Sequence, residues 1–304
     1  MVCDAMRDKR LFWREFWLLW SVGVITSAIY AVIVRFPTTP FAAVLFLRSH
    51  SAGPLLTGVE LIEILVELAI AVGCGLLAAH RIGLGAPIVE DWLRGAPIKL
   101  QVRSALIPSL VLGALLAVIS MLPNLSLFHP NRQLEHQQAE RISQSSAGKS
   151  LGEKLGRFTS GPLTLTSLTI LSLSSAISGE LTWRLFLLSC IALILAKIRG
   201  TTSGTTSNGI LFSAVFAVAA ISAIEYLVSQ AATNRMIYSS LGLTKTSYDP
   251  LWLVITRGLL RTVPAAVGLG WLYVRYGIES AMLGAFVASV VGHVLVVFVA
   301  VRLL

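Results

Sequence analysis

The chain has 304 residues, of which 55% are hydrophobic and 13% charged, about half the roughly 25% charge of soluble domains. Mean hydropathy is +0.79, and so few charges cannot cover a soluble domain of this size. The composition excludes a disordered or nucleic-acid-binding protein and defines an integral membrane protein, read as one domain over residues 1–304. The net charge of +9 then belongs to segments between apolar spans, where Lys and Arg set topology and meet anionic lipid. Cys3, Cys74 and Cys190 are scattered and give no disulfide framework.

About 20 apolar residues cross a bilayer core. The first span covers residues 17–34, behind Arg7, Lys9, Arg10 and Arg14. No small-residue cleavage signal follows it, so it reads as uncleaved. The second covers 56–79, and a basic connector over 80–104 leads to the third at 105–122. Residues 123–161 are polar and form the one extramembrane loop of any length, with a short surface helix expected over 134–146.

Residues 163–198 are largely apolar and rich in Ser and Thr at first. At 1.5 Å per residue they would reach about 54 Å, too long for one straight span and too short for two. One long helix is expected, tilted or kinked near Gly179. Spans at 210–228, 251–274 and 280–301 complete the pattern. The fold class is therefore an all-α polytopic bundle of about seven transmembrane helices. Lys and Arg are commoner in short segments on the N-terminal side, which predicts a cytoplasmic N-terminus.

Ionisable residues inside spans are costly and call for an explanation. Glu60, Glu63 and Glu67 fall on one face of the second span, since residues three and four apart are helical neighbours. Arg257 and Arg261 sit one turn apart in the sixth span, and Glu180 and Arg184 one turn apart in the fourth. Pairing of the second-span acids with the sixth-span arginines is the structural reading, and a proton or cation path is the functional one. His50, His80, His129 and His136 stand in loops or at span ends, at no metal-ligand spacing. No P-loop, dinucleotide glycine motif, nucleophile elbow or His-Glu-x-x-His is present.

Gly179-Glu180-Leu181-Thr182-Trp183-Arg184 resembles the first motif, Glu-Glu-x-x-x-Arg, of the CAAX-protease and bacteriocin-processing family of intramembrane proteases. Phe216-Ala217-Val218-Ala219-Ala220 is similar to its Phe-x-x-x-His stretch. The run from Tyr276 to Phe286 is similar to a stretch ending in Ala-His-Phe, and the run from Gly83 to Glu90 looks like one that precedes the third span. Order and spacing agree over residues 80–295. The resemblance implies the family's fold, a bacterial inner membrane and Glu180 and Arg184 as retained catalytic-motif residues. Where the family has Glu, His, His and Asn or Asp, this chain has Gly179, Ala220, Ala285 and Ser289.

Those four departures bear on the chemistry. Peptide hydrolysis needs an activated water and a stabilised oxyanion, and a metal route needs about three protein ligands. Alanine neither ligates nor moves a proton. His293 shares a face with Ala285 and Ser289 and is the candidate substitute, against a structural reading as a hydrogen-bonded histidine between helices. Gly284, Ala288 and Gly292, beside Ala281, Ala285 and Ser289, form small-residue ridges that let helices pack closely. Closer helix contact is thus expected to fill the space the catalytic groups would need. Gly179 marks either a kink or a close approach of a neighbour.

Three functions follow as expectations. The first is a catalytically inactive homologue that binds or regulates a membrane peptide or protein. The second is an active intramembrane endopeptidase with an altered site, with zinc as its cofactor; no cofactor is expected otherwise. The third is an ion-coupled transporter working through the intramembrane charges. The expected partners are membrane lipids and a membrane peptide or protein, with no nucleic acid.

Overall fold

A computed structural model describes residues 2–35, 54–122, 163–200, 206–240 and 251–303. All regular structure among them is helical. In chain order the elements are α1 (Val2–Arg35), α2 (Pro54–Ile82), α3 (Pro87–Arg94), α4 (Lys99–Met121) and α5 (Leu163–Glu180). A π-helical segment (Leu181–Leu188) follows, then α6 (Ser189–Ile198), α7 (Asn208–Ser240), α8 (Leu251–Tyr276) and α9 (Ile278–Leu303).

Five helical stretches are long and apolar enough to cross a membrane: Leu65–Ile82, Lys99–Met121, Ser172–Ile198, Asn208–Val228 and Trp252–Tyr276. Ile278–Val294 is a shorter apolar helix. All seven expected spans lie on helices. The polar segment at 123–161, with its expected surface helix, lies outside the described residues, as do His50, His129 and His136.

The long 163–198 stretch is a continuous helix with a wide π turn in its middle. The irregularity begins at Leu181, two residues past Gly179. A close approach at Gly179 is not what that glycine serves, because a Cβ there would meet nothing within 4 Å. The π segment is instead the centre of the core. Leu181, Leu185 and Leu188 are fully buried there, against Val72 and Leu76 of α2, Val215 of α7 and Leu272 and Tyr273 of α8. α2 packs on α1, the π segment and α6, while α8 packs on α4, α7 and α9.

The small-residue ridge of α9 works as expected at its first half. α9 packs on α4 more extensively than any other two helices meet. A Cβ on Gly113 of α4 would stand 2.6 Å from the Gly284 carbonyl, so the two backbones touch. At Gly292 the ridge has ended, with nothing within 4 Å.

α3 is an element the sequence reading passed over inside the 80–104 connector. Pro87 sits in its first turn, and Gly95 closes it in the left-handed region at φ 74°, the usual Pro-start and Gly-stop asymmetry. α3 is fastened to the turn between α8 and α9. Ile278 donates its N–H to Gly85 O at 3.1 Å, and Val89 donates its N–H to the Glu279 carboxylate at 2.9 Å. Gly277 makes this turn at φ 94°, with the Pro87 ring where a Cβ would go, so only glycine fits.

Candidate functional site

Glu180 and Arg184 meet in the middle of the bundle. Glu180 closes α5 and Arg184 lies in the π segment, and the two residues are 3% and 7% exposed. Arg184 Nη1 is 3.0 Å from Glu180 Oε1, and Arg184 Nη2 donates to Ala265 O of α8 at 3.5 Å. Glu180 Oε2 and Arg184 Nε are buried without hydrogen-bond partners.

The other motif positions do not converge on this pair. Phe212, Phe216, Ala220, Ile224 and Val228 are all exposed and recur every four residues, so they form the outward stripe of α7. Phe216 is 60% exposed. The inward side of α7 is Val215, Val218 and Ala219. A side chain at 220 therefore points away from Glu180. Ala285 is half-buried and packed against the core.

Ser289 and His293 belong to a separate polar contact. Ser289 Oγ donates to Ser172 Oγ of α5 at 3.0 Å. His293 Nδ1 lies 3.2 Å from the same hydroxyl. This is the interhelical histidine of the structural reading. The intramembrane charges are likewise dispersed. Glu67 is exposed on α2, and Arg261 lies over the Tyr226 ring of α7 at 5.7 Å. Arg257 is half-buried on α8, and the side chains of Glu60 and Glu63 lie outside the described set. The expected pairing between second-span acids and sixth-span arginines is not formed by Glu67 and Arg261: Glu67 is exposed and Arg261 stands against α7.

A metal centre at Glu180 does not fit these residues. One carboxylate oxygen is committed to Arg184, the alanines offer no ligand, and position 220 faces outward. Among the described residues, the group of His, Cys, Asp or Glu close enough to share a metal lies elsewhere.

That group is Glu15 of α1, His80 of α2 and Glu90 of α3. It stands at the end of the bundle where α2 ends, α4 begins and α8 turns into α9. Glu15 is fully buried. His80 Nε2 is 3.0 Å from Glu15 Oε2 and 3.6 Å from Glu90 Oε1. Arg94 Nη2 holds the other Glu90 oxygen at 3.3 Å. Burial raises the Glu90 carboxyl above its usual value, and the Glu15 charge adds to this, while His80 and Arg94 oppose it. A cavity of about 520 Å³ opens beside the group, lined by His80, Glu90, Gln101, Tyr273, Arg275 and Tyr276. Phe12 lies edge-on to the His80 ring at 6.0 Å, heading a run of edge-to-face aromatics through Trp13, Phe16, Trp17 and Trp20.

His80 is a span-end histidine, in the last turn of α2, and the fold sets two acids from other helices beside it. Spacing along the chain hid the group, because its members come from three helices. Its available signals were the acid Glu15 at the end of a basic leader and the Pro87 and Gly95 brackets of the helix that carries Glu90.

The fold and these sites define an all-helical membrane bundle with one sealed intramembrane ion pair and one open polar cluster at its end. No family model, curated protein or solved structure matches the chain.

Proposed function

We propose that the chain is a CAAX-protease-like intramembrane protein that binds a membrane peptide or protein and does not cut it. We place it in a bacterial inner membrane with about seven spans and a cytoplasmic N-terminus. The observation that carries this reading is the closed pair of Glu180 and Arg184, 3.0 Å apart and buried. A general base must reach a water, and a metal ligand must reach a metal. Glu180 is turned to its own helix neighbour, and no histidine of the described chain joins it.

Neither alternative gains from the geometry. An altered protease site would need His293 near Glu180, and His293 is engaged with Ser172 two turns earlier in the same helix. A transporter path would need the acids of α2 turned inward, and Glu67 is exposed.

The test is a cleavage assay in liposomes with quenched-fluorophore peptides, including lipidated and single-span ones. Wild type and Glu180→Gln should both match protein-free liposomes, while a labelled single-span peptide crosslinks to both. Cleavage by wild type that disappears in Glu180→Gln would overturn the reading.

A further inference from the structure

The end of the bundle that carries α3 holds ligand atoms the Glu180 pair does not use. Glu15, His80 and Glu90 each bring one such atom to a common point, all within 4.8 Å of one another. Two ligands about 2.0 Å from a metal, at tetrahedral angles, lie about 3.3 Å apart. The distances from His80 Nε2, 3.0 Å to Glu15 and 3.6 Å to Glu90, fall on either side of that value.

A simple ion pair leaves part of the arrangement without a purpose. Glu15 is 0% exposed, and its Oε1 is buried with no hydrogen-bond partner. Buried carboxylate oxygens are ordinarily satisfied. A protonated His80 serves Oε2 and leaves Oε1 bare, on the same carboxyl carbon and beside the cluster. A divalent cation can be held through either oxygen or both.

The surroundings match a metal centre in two further ways. Arg94 at 3.3 Å occupies Glu90 Oε2 and leaves Oε1 toward His80, as outer partners orient ligating carboxylates. The cavity of about 520 Å³ borders His80 and Glu90, so three protein ligands would leave an open coordination position facing it.

We propose that Glu15, His80 and Glu90 form a binding site for a divalent first-row transition cation, open toward the cavity at this end of the bundle. One imidazole among carboxylates favours a zinc-type ion over calcium or magnesium. The site is separate from the Glu180 pair and does not rest on the reading of that pair.

The experiment uses tag-free, full-length protein in detergent, stripped with chelator and titrated with zinc chloride, then with manganese chloride. Wild type binds about one zinc ion per chain. His80→Ala and Glu90→Gln each weaken binding by at least about 100-fold, and Arg94→Gln by about 10-fold. Glu180→Gln binds like wild type. Absorption at the zinc edge reports one imidazole among oxygen ligands. Glu15 is buried and Glu90 only partly so, and Glu90→Gln therefore carries the test whether or not Glu15→Gln folds. No saturable binding of either ion overturns the site. Binding that survives both His80→Ala and Glu90→Gln overturns it as well. Binding lost in Glu180→Gln would move the ion to the bundle centre and also overturn it.

Discussion

Two regions of this bundle each set a buried glutamate against a basic side chain, and they are built in opposite ways. Glu180 takes its partner from one turn along its own helix, and the pair is sealed among leucines. Glu15 takes its partner from α2 and shares it with an acid of α3, beside an open cavity. A pair made within one helix closes on itself away from the cavity, even though Glu180 Oε2 and Arg184 Nε stay without partners. A group assembled from three helices also leaves an oxygen bare, Glu15 Oε1, but stands beside an open cavity. Sealed charge favours a structural role, and open charge favours a ligand.

The contrast breaks most readily at Glu180. Removing one partner of a buried ion pair strands the other, at a cost of about 3–5 kcal/mol. Glu180→Ala should lose that much stability, measured by reversible unfolding in mixed micelles. The double change Glu180→Leu with Arg184→Met should recover most of it, since apolar replacement of a buried pair is often neutral. Glu90→Gln, half-buried beside solvent, should cost about 1 kcal/mol or less in the metal-free protein. Equal losses for Glu180→Ala and Glu90→Gln would erase the distinction between the two regions.

Gly277→Ala comes next. It forces a Cβ into a left-handed turn and against Pro87, at about 1–3 kcal/mol. Because that turn fastens α3, the loss should be accompanied by faster hydrogen exchange around Val89 and Glu90, with the Glu180 region unchanged. The smallest effect belongs to Gly179→Ala. Open space surrounds that Cβ position, and replacing a helix-interior glycine should stabilise by about 0.5–1 kcal/mol. A destabilised Gly179→Ala would mean that the glycine serves the π turn beyond it.

The helices were legible because apolar runs of membrane length leave few other choices. The Glu180–Arg184 pair was legible for a related reason, since partners four residues apart are fixed by helix geometry alone. The Glu15–His80–Glu90 group was not, because no spacing rule joins residue 15 to residue 80 or reveals that α3 folds back over both. The orientation of α7 was not legible either. With apolar residues on every side, its sequence carries little contrast between inner and outer faces, and only packing against Leu188 and Gly270 turns Val215 inward.

The π turn between α5 and α6 has one further consequence. Carried on at 3.6 residues per turn, the inward stripe of Ser172, Ala176 and Glu180 would run near Trp183, Phe186 and Cys190. The inward residues beyond Glu180 are instead Arg184 and Leu185, Leu188 and Ser189, then Ala192 and Ala196. The chain thus keeps one rod, and the wide turn delays its inward register by one or two residues partway along it. Each half of the rod therefore has its own phase, and a helical wheel drawn over residues 163–198 as a whole superimposes two registers.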